Sequence, residues 1–191
     1  MFPKRAPEIQ PAVNLFTADD VAAILRERRW LRHEGEAGAS AGELGSESAS
    51  AWMLEAATLL GPRAENRETL AGLLETVFQY DARATLATRE GQEVLTREGA
   101  RQIIRVLATE ILKGGPVDSN RLKEIVATIK ATLPYSSRDI FHPLRVALAG
   151  RVGGGELDRV VLLLDRAAQA EGLAAVKSVR TRILEFCAAL N

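Results

Sequence analysis

His33, His142 and Cys187, with scattered carboxylates, are the side chains from which this chain could build a nucleophile, a proton shuttle or a metal site. Their spacing supports none of these. The single cysteine excludes an intramolecular disulfide and fits a reducing compartment. Two histidines do not complete a usual structural zinc set within one chain. No Ser-His-Asp or Cys-His set is recognisable, and Asp19-Asp20 falls in the first turn of a helix, where carboxylates complement the helix dipole. Gly153-Gly154-Gly155 has the composition of a phosphate cradle, yet no Gly-Lys-Ser/Thr follows it and no apolar strand precedes it. The expectation is a chain with no catalytic residue, no cofactor and no metal.

The most constrained stretch is Ser136-Ser137-Arg138-Asp139-Ile140-Phe141-His142-Pro143-Leu144-Arg145-Val146-Ala147-Leu148-Ala149-Gly150-Arg151. Ser136 and Asp139 can form a capping box, Pro143 suits the first turn of a short helix, and Phe141 would be a hydrophobic staple ahead of it. Gly150 ends that helix, because glycine takes the left-handed conformation without steric penalty. Leu144, Ala147 and Leu148 share one face and Arg145 lies off it, free to reach a partner.

The elements that must position this segment are helical. Val21, Ile24 and Leu25 follow a cap at Thr17 and Asp20, in a helix whose stripe extends toward Trp30 and Leu31 and whose outer face carries Arg26, Arg28, Arg29 and Arg32. Residues 34–50 read as a Gly/Ala/Ser/Glu linker. A helix over about 50–60 stops at Gly61-Pro62, and Asn66 caps another bearing Leu70, Leu73, Leu74, Val77 and Phe78. A short helix over 81–87 precedes a turn at Glu90-Gly91. Ile103, Ile104, Leu107, Ile111 and Leu112 mark the buried face of the next, and Asp118 or Ser119 caps one with Leu122, Ile125, Val126 and Ile129 inside. Beyond a flexible glycine joint, Leu157, Val160, Val161 and Leu164 begin a helix. The last runs from about Val176. No segment shows sustained period-two alternation, so the expected fold class is all-α. Residues 1–50 form an N-terminal extension with one helix, and residues 51–191 a domain of two small helical subdomains, about 51–115 and 116–191.

The 191 residues include 25 Lys plus Arg against 25 Asp plus Glu, so the chain as a whole offers no long-range field to nucleic acid or membrane. Any RNA affinity must come from a local patch. The proline-spaced start, Met1 to Phe16, lacks the apolar core of a signal peptide, and no later run suits a bilayer. A cytoplasmic protein with no membrane partner is expected.

Gly61-Pro62-Arg63-Ala64-Glu65-Asn66-Arg67-Glu68-Thr69-Leu70, Phe78-Gln79-Tyr80-Asp81 and above all Phe141-His142-Pro143-Leu144-Arg145-Val146-Ala147-Leu148-Ala149-Gly150 carry a resemblance to the C-terminal anticodon-binding domain of bacterial glutamyl-tRNA synthetases. In that family the region is a cage of helices that binds the anticodon and performs no chemistry. The resemblance implies that Arg145 and Leu157 lie against anticodon bases, since planar guanidinium donors can bind base edges or stack on a ring. Arg151, Lys177 and Arg180 are further candidate RNA contacts; Lys177, Arg180, Thr181 and Arg182 would reach phosphate or form a solvated helix face. An ion pair of Arg145 with Asp139 or Glu156, and an ordinary core role for Leu157, are the alternatives. Ala149 departs from the family's usual threonine. The family's His-x-Gly-His-like and Lys-(Met/Leu)-Ser-Lys-like elements are absent, as is a Rossmann pattern, so aminoacylation by this chain alone is not expected.

The function implied is a non-catalytic tRNA-binding module, meeting the anticodon loop of glutamate tRNA and working beside a separately encoded catalytic synthetase chain. The alternatives are a helical protein-interaction module that has lost RNA binding, or the C-terminal part of a split glutamate-tRNA ligase.

Overall fold

The computed structural model describes residues 14–32 and 47–190. The proline-spaced start up to residue 13, His33 and the 34–46 part of the expected linker lie outside the described residues. The described residues are all-α: α1 (Ala18–Glu27), α2 (Glu47–Leu60), a 3-10 turn (Gly61–Arg63), α3 (Arg67–Phe78), α4 (Ala82–Ala87), α5 (Arg89–Leu95), α6 (Ala100–Lys113), α7 (Ser119–Thr132), α8 (Ser137–Ala149), α9 (Glu156–Gln169) and α10 (Val179–Leu190). No helix among them is long and apolar enough to cross a membrane.

Side-chain caps set most of the helix starts. Thr17 and Asp20 form the reciprocal capping box of α1, and Asn66, Asp81, Asp118 and Ser136 accept from the backbone three residues on. Thr88 does the same for α5, so the expected turn at Glu90-Gly91 is helical instead. The Ser136 cap likewise places Pro143 and Phe141 inside α8, not in its first turn or ahead of it. Pro143 has no amide hydrogen for the Asp139 carbonyl, and its buried ring is held in the core. Gly150, at φ 72°, closes α8 as expected. The final helix starts at Val179, three residues later than expected. There Ser178 Oγ accepts from Thr181 N, and the buried Asp165 carboxylate of α9 accepts from Val179 N at 2.8 Å and from Val117 N at 2.6 Å.

Helix α1 is no detached appendage. Val21, Ile24 and Leu25 are essentially inaccessible and belong to the core that includes α3, α6, α8 and α9. Arg29 takes φ 58°, which ends the helical path. Trp30 then stacks on Phe78 with ring centroids 4.7 Å apart, and Trp52 meets Phe78 edge-on at 5.7 Å; such pairs contribute about 0.5–1.5 kcal/mol each beyond their buried area. Leu31, expected to prolong the helix, makes an isolated bridge with Leu173. Among the described residues the buried side chains form one cluster, from Val21 of α1 to Phe186 of α10.

Arg182, expected on a solvated or phosphate-binding face, is wholly buried. Its guanidinium donates to the carbonyls of Thr76 and Val77 at the end of α3, Leu148 at the end of α8, and Lys177. It lies 4.6 Å over the Tyr80 ring, whose hydroxyl donates to Ala147 O at 2.6 Å. The carbonyls of Thr76, Val77, Ala147 and Leu148 are the orphans that helix C-termini leave, and they carry the negative end of the dipole. A single cation satisfies two helix ends at once.

Candidate nucleic-acid interface

Helices α7, α8 and α9 enclose a groove of about 700 Å³. On α7, Leu122, Lys123, Val126 and Lys130 follow the 3–4 spacing of one helix face, so the same stripe brings apolar floor and two cations to the opening. Arg159 of α9 and Arg63 of the 3-10 turn add two more cations, and Phe141 and Leu162 complete the apolar wall. All four cations are exposed, and none is ion-paired among the described residues. Asp158 is the acid lining the groove, and it is already neutralised.

Its neutraliser is Arg145. Nε and Nη2 of Arg145 each donate to an Asp158 oxygen at 2.8 Å, Nη1 donates to Gly153 O at 2.9 Å, and the guanidinium carbon sits 5.3 Å from the Phe141 ring centre. The side chain is only 12% exposed. Arg145 was expected to be free, but all the sequence shows is that it lies off the Leu144 stripe. The α8–α9 turn folds back so that Asp158, not Asp139 or Glu156, meets it. The Asp158 hydrogen bonds are also what raise its pKa further, so it is a fixed cation. The glycine joint is correspondingly tied: Gly153 accepts from Arg145 and Gly154 N donates to Glu156 at 2.8 Å.

The other candidates disperse. Leu157 is 3% exposed and packs in the core beside this turn. Arg151 makes a long, exposed contact with Glu75 at 3.5 Å, Lys177 donates to Tyr80 O and pairs with Glu185, and Arg180 leans on the Leu112 carbonyl at 3.3 Å. None of these three lines the groove. His142, on the next position round α8 from Phe141, accepts from Arg97 at Nδ1, 2.7 Å. Partial burial, followed by Arg97, Arg138 and Arg145, lowers its pKa, which keeps that lone pair available.

Sequence reasoning missed Lys123, Lys130, Arg159 and Arg63 as site residues. For the α7 pair a signal existed, since two lysines seven residues apart stand on one face two turns apart. For Arg63 and Arg159 there was none, because only packing brings the 3-10 turn beside α9.

The family model described as anticodon binding domain matches residues 12–175. The glutamate-tRNA ligase of Bacillus cytotoxicus is 26% identical over 136 residues, which cover 71% of this chain and 27% of that protein. Those of Bacillus thuringiensis and Bacillus anthracis are 26% identical over 125 residues, covering 65% of this chain and 25% of theirs. The chain thus spans about a quarter of the length of the curated relatives it matches. No solved structure matches it.

Proposed function

The chain belongs to the anticodon binding domain family, and from that premise we propose that it is a non-catalytic tRNA-binding module acting in the cytoplasm. The observation that carries this reading is the groove between α7, α8 and α9: four cations without carboxylate partners among the described residues around an apolar floor, in a chain whose total charge is zero. Cations of this kind attract phosphate and release its counterions, and an apolar wall with an aromatic ring supports unstacked bases. In this reading Arg145 positions the turn and the Phe141 ring, while Lys123, Lys130, Arg159 and Arg63 meet the RNA. The names of the similar proteins point to glutamate tRNA as the ligand, and a separately encoded catalytic synthetase chain would supply the chemistry.

The commitment of Arg145 to Asp158 favours a second reading, a helical protein-interaction module without RNA recognition. Fluorescence titration of labelled glutamate tRNA at 50 and 200 mM salt separates the two. A tRNA module binds with strong salt dependence, and more tightly than to the same tRNA with an altered anticodon. Salt-insensitive or absent binding, with a protein partner recovered from nuclease-treated lysate, supports the second reading.

Asp158 supplies a sharper prediction. Asp158→Asn removes the acid from the groove and releases the Arg145 fork, so tRNA affinity at 100 mM salt is expected to rise about fivefold, with a salt slope steeper by about one phosphate contact. An unchanged affinity and slope would restrict the ion pair to a structural part.

A further inference from the structure

We infer that a second face, formed by Arg97, Arg101, Arg105 and Tyr135, grips the ribose-phosphate backbone of the RNA whose neighbouring segment occupies the α7–α8–α9 groove. The inference rests on the tRNA-binding reading and adds to it a surface with a different task. Arg101 and Arg105 stand one turn apart on one face of α6, and Arg97 lies in the turn before it, on the other side of Gly99. They line a shallow depression of about 560 Å³ with Tyr135 and Glu98. All three are exposed, and none is ion-paired with a carboxylate among the described residues. Elsewhere Arg67 pairs with Glu27, Arg89 with Glu93 and Arg166 with Glu55, while Arg26, Arg83 and Arg138, like this stripe, form no ion pair among the described residues.

Tyr135 is placed here by a specific close approach. Gly99 takes φ 78°, and a Cβ on it would come within 2.1 Å of the Tyr135 ring. The ring therefore rests on bare backbone at the edge of the arginine stripe, where a phenol can donate to a phosphate oxygen. Continuity with the groove comes through α8: Phe141 lines the groove, while its neighbour His142 accepts the Arg97 hydrogen bond. The occupant is argued from charge. Three arginines with a single lining acid suit a polyanion, and their spread from the turn before α6 into its second turn suits a chain of phosphates, not one isolated anion.

The test uses the full chain and labelled glutamate tRNA. The variant Arg97→Gln/Arg101→Gln/Arg105→Gln is expected to bind about 100-fold more weakly at 100 mM salt and to flatten the log–log salt slope by about two. Its preference for the correct anticodon over an altered one should stay as in the wild type, because phosphate contacts carry no sequence information. The corresponding triple lysine variant should keep the slope, and Arg101→Gln/Arg105→Gln, which leaves the His142 contact intact, should show about two thirds of the slope change. Wild-type binding with an unaltered slope in the glutamine variants overturns this inference and leaves the tRNA-binding reading standing. Loss of the anticodon preference also overturns it, by showing base readout. No binding by the wild type overturns both.

Discussion

Arg182→Leu is expected to destabilise the protein by about 3–5 kcal/mol, or to prevent folding altogether, the range seen when one side of a buried charged network is removed. The guanidinium is buried without a carboxylate partner among the described residues, and burial lowers its pKa to about 10, so at neutral pH it is still charged. The carbonyls of Thr76, Val77, Leu148 and Lys177 offset that desolvation. Leucine fills much of the space but leaves those acceptors bare, at roughly 1–3 kcal/mol for each buried group that water cannot reach. Lysine at the same position has one ammonium for carbonyls on separate segments, and is expected to recover less than half of the loss. Urea unfolding followed by circular dichroism measures both; a leucine variant within 1 kcal/mol of the wild type would show that the helix ends find other partners.

The second large effect is on binding. Lys123→Glu/Lys130→Glu/Arg159→Glu changes the groove charge by two at each of three exposed positions, and tRNA affinity at 100 mM salt is expected to fall at least 1000-fold. The melting temperature should move by no more than a few degrees, since none of the three side chains is ion-paired among the described residues and surface substitutions of this kind stay within about 0.5 kcal/mol each. Retention of tRNA affinity within threefold would remove the groove from consideration as the interface.

The helices themselves were largely legible. In the stripes of Leu70, Leu73, Leu74, Val77 and Phe78 and of Ile103, Ile104, Leu107, Ile111 and Leu112, all but the half-buried Phe78 and Leu112 are buried as their spacing requires, and Asn66, Asp81 and Asp118 cap where a short acceptor precedes a helix. The misplacements have local causes. The Ser136 cap outweighs the preference of Pro143 for a first turn, and Thr88 starts a helix that runs through Gly91 because its hydroxyl offers that backbone amide an acceptor.

The site was legible only in part. The signature around Arg145 runs up to the turn between α8 and α9, and Leu157 lies beside it, but the exposed cations of the groove come from three other places in the chain. Their convergence follows from how α7 and α9 pack against α8.

Local sequence determined the all-α class, the helix caps and the buried stripes, because helix periodicity and capping act between residues no more than a few positions apart. The fate of each charge was decided by tertiary structure alone. Arg145 is held by Asp158 across a folded turn, Arg182 by carbonyls 34 and more than 100 residues away, and Lys123 and Lys130 are left open to solvent. Whether a guanidinium becomes a clamp, a core strut or an RNA contact depends on which acceptors distant segments bring within 3 Å of it, and side-chain spacing along one helix carries no record of that.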